Sequence, residues 1–167
     1  MMVLVYLSAP IIKKASRKDE FCSRVVKVLE ELGLNVFAPQ FLGPAEPAEI
    51  YRRDVYNVRI SDFILTEVSN PSLGVGMEIM LAIDLVKPIL MFFEGDIEAL
   101  SKMVRGADGK VLIEYKTLDD VENVLRSHNL ENLIVQKCPL CDSQVAEVLE
   151  EGLKCVGCGS GGHQVTV

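Results

Sequence analysis

Two sets of residues in this sequence have the types and spacing to do chemistry. The first is Cys138, Cys141, Cys155 and Cys158, a C-x2-C…C-x2-C arrangement. Each pair can present two thiolates from a tight turn, and two such turns enclose a tetrahedral zinc ion. A closed four-thiolate site is structural, because no position stays open for water or substrate. His163 could replace a thiolate; it reads instead as a solvent-facing strand residue. The second set is made of carboxylates: Asp54, Asp62, Glu67 and Glu78. The only histidine outside the cysteine region, His128, ends a helix, where a cation complements the dipole. No Ser-His-Asp arrangement is therefore supported, and catalysis must rest on carboxylates. Cys22, among apolar helix neighbours, reads as an inert core residue.

The carboxylates matter only if the chain turns them toward one place. Glu78 lies in "NPSLGVGMEIML", residues 70–81, where turn and helix-start residues precede an apolar helix. Gly74 and Gly76 let the backbone turn sharply or approach another group closely. "SLGVG" is neither a G-x-G-x-x-G fingerprint nor a G-x4-G-K-[ST] loop. The loop after the first strand, "SAPIIKK", has no glycine, which speaks against a dinucleotide site. What remains is a helix N-terminus with free N–H groups and Ser72, suited to one anionic group.

The elements that must position these residues follow from periodicity. "MVLVYL", "LNVFAP", "DFILTEV", "KPILMFF" and "KVLIEY" read as five strands. Between them, helical spacing runs over residues 16–32, 50–60 and 72–86, with "DIEALSKMVRG" a short helix and "TLDDVENVLRSH" a closing one. Gly33 supplies a stop signal for the first helix. Short apolar strands alternating with amphipathic helices specify an α/β protein: a five-stranded parallel sheet with helices on both faces. Ligands in such sheets bind beyond the carboxyl ends of the strands, which selects the loops after Leu7, Phe37, Val68 and Phe93. Asp62 begins a strand, at the wrong edge; Glu67 lies near a strand's carboxyl end, as a surface or supporting group. Asp54 and Glu78 ride on the helices flanking the third strand, where they either overlook one crevice or remain solvated charges. From Asn132 the pattern changes to "QVAEVL", "GLKC" and "HQVTV", the short strands of a zinc ribbon. The division is thus an α/β domain over residues 1–131 and a ribbon over 132–167.

A formal net charge of −7 argues against nonspecific nucleic-acid binding. No apolar run approaches the roughly 20 residues of a membrane span. "MMVLVYLSAP" lacks a basic leader region, so a cytoplasmic location is the expectation.

"VYLSAPI", "RRDVYNVRISDFILTEVSNPSLGVGMEIMLAI" and "LSKMVRGADG" together resemble the nucleoside 2-deoxyribosyltransferase superfamily, and within it the 2'-deoxynucleoside 5'-phosphate N-hydrolases. The likeness covers residues 3–126; the ribbon lies outside it. It implies a flavodoxin-like (Rossmann-like) fold and cleavage of N-glycosidic bonds of deoxynucleosides or their monophosphates. By position, Glu78 matches the nucleophile, Asp54 the aspartate that assists departure of the base, and Tyr6 the tyrosine that orients the nucleophile. Ser72 matches a phosphate-binding serine. Ser101 matches a second, contributed in the hydrolases by the neighbouring subunit, which implies a homodimer with shared active sites. Gly74 and Gly76 are expected to make room for the nucleotide. Ala9 and Pro10, followed by Ile11 and Ile12, stand where the hydrolases have a Gly-Ser pair and a basic residue, so Ala9 is expected to border the substrate with Lys13 the nearest cation. The transferases usually carry an aspartate-glycine-threonine turn before the glutamate; Ser-Leu-Gly-Val-Gly favours the hydrolase branch.

The alternatives are base exchange by the same chemistry, and a non-catalytic nucleotide-binding module that uses its ribbon to recruit a macromolecule. The ribbon is not basic: "AEVLEEG" sets three glutamates against Lys137 and Lys154. A structural cap or a dimer contact fits it better.

Overall fold

The computed structural model describes residues 2–16 and 18–163. Five strands form one parallel sheet: β1 (Leu4–Ser8), β2 (Asn35–Phe37), β3 (Phe63–Glu67), β4 (Ile89–Phe93) and β5 (Lys110–Glu114), in the order β2-β1-β3-β4-β5. β3 and β4 are buried throughout, as strands covered on both faces must be. Side-chain alternation then sorts the core. Val5, Leu7, Phe63, Leu65, Leu90 and Phe92 pack with helices α1 (Asp19–Glu31) and α5 (Leu118–Ser127). Tyr6, Ile64, Ile89 and Met91 face α2 (Pro47–Ile60) and α3 (Leu73–Asp84). Helices on both faces and the parallel sheet are therefore as the alternation of the sequence requires.

Local chemistry sets the helix ends. α1 stops at Gly33, whose φ of +81° suits glycine; Gly33 N donates to Glu30 O and Leu34 N to Leu29 O, closing a Schellman turn. α2 starts at Pro47, three residues before the apolar spacing does, because proline is pre-set for a first helical position. α5 carries a reciprocal capping box between Thr117 and Asp120. The expected helix over "DIEALSKMVRG" is broken: a 3-10 turn at Ile97–Ala99, then a single turn α4 (Lys102–Arg105). Leu100 and Ser101 between them are not helical, and Leu100 is buried, so apolar burial interrupts the helix.

The C-terminal part forms a separate antiparallel sheet of four strands: β6 (Leu133–Val135), β7 (Val145–Leu149), β8 (Gly152–Cys155) and β9 (Gly161–His163), in that order. β6 was not anticipated; three residues are too few for a period. The expected last strand is described as far as His163; residues 164–167 lie outside the described residues, as does the side-chain expectation for His163. This sheet is sewn to the edge of the first one. Gln144 N donates to Lys110 O at 2.8 Å, and Gln144 Oε1 accepts from Gly109 N at 3.0 Å. Val145 and Val156 belong to the same buried cluster as Phe92 and Leu125. Glu147, 2% exposed, accepts from Asn129 N at 2.6 Å and meets Lys154 at 3.2 Å and His128 at 3.3 Å. His128 does follow α5 directly, but its ring is spent on this junction.

Candidate active site

Strand β1 points Tyr6 and Ser8 to the same face because they stand two residues apart. α3 crosses above that face and brings Glu78 down onto them. Tyr6 Oη donates to Glu78 Oε1 at 2.7 Å, and Ser8 Oγ donates to Glu78 Oε2. Both donors are buried, Tyr6 at 0% and Ser8 at 1% exposure. Burial pushes the Glu78 carboxyl up to about 7; the bonds from Ser8 and Tyr6 pull it down, and the charge of Asp54 adds to the rise. Burial, then the Glu78 charge, drives the Tyr6 phenol far above its ordinary range, so Tyr6 remains a donor. The outcome is a half-buried carboxylate with both oxygens held, able to ionise near neutral pH.

Asp54 reaches this site from α2. Its Oδ1 accepts from Arg53 Nε at 2.8 Å. The Arg53 guanidinium lies over the Phe37 ring, 5.9 Å from its centroid, and Phe37 stacks on Tyr6 with centroids 5.5 Å apart. Phe37, Arg53 and Asp54 thus form one wall beside Tyr6 and Glu78.

Ser72 is the N-cap of α3, its Oγ accepting from Val75 N at 3.5 Å. Ser72, Gly76 and Ser101 line a largely apolar cleft of about 680 Å³ between α3 and the segment 99–108. Tyr6, Asp54 and Glu78 are not among its lining residues. Gly74 and Gly76 do not form a sharp turn: both lie inside α3, neither has positive φ, and a Cβ on either would meet nothing within 4 Å. They strip the helix surface bare instead. Ala9 is buried, its side chain in the cluster of Val5 and Leu7. Lys13 is exposed in the loop after β1.

Asp62 accepts from Leu4 N at 2.8 Å, a link at the amino edge of the sheet. Glu67 is not a surface group. It is 1% exposed on the α1 face, accepts from Ser69 N at 2.6 Å and meets Lys18 at 3.6 Å. Cys22 is fully buried. Sequence reading missed Ser8, Phe37 and Arg53. The signal for Ser8 was present: it is two residues beyond Tyr6 in a strand.

The four cysteine sulfurs lie within 4.8 Å of one another. Cys138 and Cys158 sulfurs are 3.8 Å apart, and those of Cys141 and Cys155 3.6 Å. Sulfurs bound to one tetrahedral zinc at about 2.3 Å stand about 3.8 Å from each other, so the set fits a metal ion. Backbone N–H groups of Leu140, Ser143 and Gly157 donate to the sulfurs of Cys138, Cys141 and Cys155. Gly157 is required here by space: a Cβ would come within 2.7 Å of Ser143 Cβ.

The sequence model of the nucleoside 2-deoxyribosyltransferase family matches residues 5–133. The chain belongs to this family. Among curated family relatives, the 5-hydroxymethyl-dUMP N-hydrolase of Danio rerio is 43% identical over 83 residues, covering 47% of this chain and 57% of that protein. A Thermofilum pendens protein named as a 2'-deoxynucleoside 5'-phosphate N-hydrolase is 29% identical over 133 residues, covering 74% of this chain and 92% of the relative. The chain spans little more than half the length of the first curated relatives it matches. Among solved structures, the Clostridium botulinum CMP N-glycosidase superposes with a TM-score of 0.60 at 20% identity, over 75% of this chain and 99% of that one. The 2-deoxyribosyltransferase of Bacillus psychrosaccharolyticus gives 0.56 at 21% identity, over 72% and 91%. These two likenesses concern the fold. The family match ends at residue 133, where the cysteine-bearing sheet begins.

Proposed function

We propose that the protein hydrolyses the N-glycosidic bond of 2'-deoxynucleoside 5'-monophosphates, releasing free base and deoxyribose 5-phosphate. The observation that carries this reading is the Glu78 carboxylate, half-buried and held through both oxygens by Tyr6 and Ser8 beside Asp54. Breaking the C1'–N bond builds positive charge on the sugar. The ionised Glu78 stabilises that charge and attacks C1', while the departing base keeps the bonding electron pair and takes up a proton. Water then attacks C1' and releases a proton to solvent, balancing the one the base took up; the ester to Glu78 breaks and the carboxylate is regenerated. Asp54 has Oδ1 occupied by Arg53; the other oxygen is placed to hold the sugar or to assist the base as it leaves. Names of the relatives from Danio rerio and Thermofilum pendens support the substrate class.

Transfer to a second base differs only in the acceptor, and the family's own description favours keeping it as the second reading. The 5'-phosphate is assigned to Ser72 at the start of α3, with Ser101 supplied by a partner subunit. A homodimer with shared sites is supported by Tyr51 and Tyr56 on α2 and Leu73, Met77 and Met80 on α3, all exposed. Residues 1–131 are the catalytic unit, and residues 132–167 a ribbon whose four cysteines hold a structural Zn2+. The third alternative, a non-catalytic nucleotide-binding module with the ribbon as interaction element, predicts binding without turnover. Among the described residues no helix is long and apolar enough to cross a membrane; we place the protein in the cytoplasm.

Incubation with a panel of deoxy- and ribonucleotides, nucleosides and free bases tests this directly. Free base and deoxyribose 5-phosphate are expected from deoxynucleoside monophosphates. Because the ionised form of Glu78 attacks, kcat/KM should rise with pH around a midpoint near 7. Binding with no base released or exchanged at any pH would refute the catalytic reading.

A further inference from the structure

We propose that Ser8 is a positioning residue that locks the Glu78 carboxylate in its attacking orientation and keeps it ionised, a role that rests on the glycosidase reading. Three observations carry it. Ser8 Oγ donates to Glu78 Oε2 while Tyr6 takes Oε1, so each carboxylate oxygen has its own donor and the group cannot rotate freely. The two donors are neighbours on one face of a rigid buried strand, not on a loop, so their spacing is set by the sheet. And the Glu78 bond is the one side-chain hydrogen bond of Ser8 among the described residues.

The contrast with Thr66 sharpens the assignment. Thr66 stands opposite Ser8 in the β1–β3 register, on the same face and fully buried, yet its Oγ1 has no hydrogen-bond partner among the described residues. A buried hydroxyl beside the site is therefore not enough to engage Glu78. Only the hydroxyls of β1, at positions 6 and 8, do so.

The chemical consequence has a definite sign. A donor to a carboxylate stabilises the ionised form. Removing it leaves burial less opposed, so Glu78 holds its proton to higher pH and fewer molecules carry the nucleophile. Oε2 also loses the contact that fixed the carboxylate plane, which slows attack in the molecules that remain ionised.

The test compares Ser8→Ala, Ser8→Thr and Thr66→Val with wild type by two measurements. Carbon-13 NMR of the labelled Glu78 carboxyl gives its titration midpoint without any turnover. The pH profile of kcat/KM on deoxynucleoside monophosphates gives the functional one. Ser8→Ala should raise both midpoints by about one pH unit, lowering kcat/KM about tenfold on the acid side, with a smaller loss in kcat and little change in KM at high pH. Ser8→Thr, which keeps a hydroxyl, should restore most of the shift, and Thr66→Val should leave the midpoint in place. An unmoved Glu78 midpoint in folded Ser8→Ala overturns the proposal, as does an equal shift from Thr66→Val. A wild-type protein inactive on every substrate sinks the glycosidase reading and this catalytic role with it. The NMR midpoints would then still report whether the Ser8 bond governs Glu78 ionisation.

Discussion

The Glu78 crevice and the cysteine ribbon gather polar side chains in opposite ways. The ribbon draws four ligands from 21 consecutive residues, as two turns of the same design. The crevice draws Tyr6, Ser8, Asp54 and Glu78 from β1, α2 and α3, as far as 72 positions apart. The ribbon's four sulfurs lie within 4.8 Å of one another, close enough to hold a metal ion. In the crevice a carboxylate is kept where burial disfavours its charge, and two hydroxyls offset only part of that cost. On the proposed reading, one region uses its side chains for stability and the other accepts a cost in stability to keep a reactive group available.

Substitution at Glu78, the proposed nucleophile, should give the largest effect. Glu78→Ala is expected to lower kcat by more than about 10⁴-fold while the far-ultraviolet circular dichroism stays native. A variant retaining even a tenth of the activity would remove Glu78 from the reaction. In the ribbon, Cys155→Ser should leave three thiolate ligands, and exhaustive chelation four cysteines without a metal ion. Thermal unfolding should then begin roughly 10 °C lower, because Val145 and Val156 no longer seal the core beside α5. An unchanged melting temperature, together with no zinc by elemental analysis, would make the ribbon metal-free.

Stability against pH separates the regions further. The folded-state value for Glu78, about 7, lies above its ordinary 4.5. The native state therefore holds a proton that the unfolded chain gives up. The resulting contribution is fully present below about pH 4.5 and is lost as pH rises through 7. Glu78→Gln should accordingly be more stable than wild type at pH 8.5, by on the order of 2 kcal/mol, with the difference vanishing near pH 4. Denaturant titrations at the two pH values check this, and equal differences at both would contradict it. Gly157→Ala forces a Cβ against Ser143 at 2.7 Å and should destabilise by about 1–3 kcal/mol, with the Glu78 titration unmoved. The smallest effect is expected for Lys154→Met. Its ammonium pairs with Glu147 at 3.2 Å from a partly exposed position, and loss of about 1 kcal/mol or less should follow.

How much of this could be read in advance differs between the regions for the same reason. The C-x2-C pairs sit in local turns, so the spacing alone brought the four sulfurs together. The parallel sheet was legible because β3 and β4 are continuous apolar runs and the helices between them are amphipathic. Boundaries failed where a single residue overruled the period: Pro47 extended α2, and buried Leu100 broke the segment before α4. In the site, Glu78 and Asp54 were recognisable by family resemblance, whereas their periodicity was equally that of solvated helix charges. Ala9 was named by its position in a motif; its side chain packs with Val5 and Leu7.

The sequence by itself determined the alternation of strands and helices, the capped helix starts and the cysteine pairs, since each depends on residues a few positions apart. Tertiary structure alone decided that Tyr6 and Ser8 take the two oxygens of Glu78, and that Arg53, lying over the Phe37 ring, holds Asp54. It also decided that the ribbon shares a core with the sheet edge. Those relations join residues distant in the chain, and they exist only once packing of α2 and α3 on one sheet face fixes where each side chain ends.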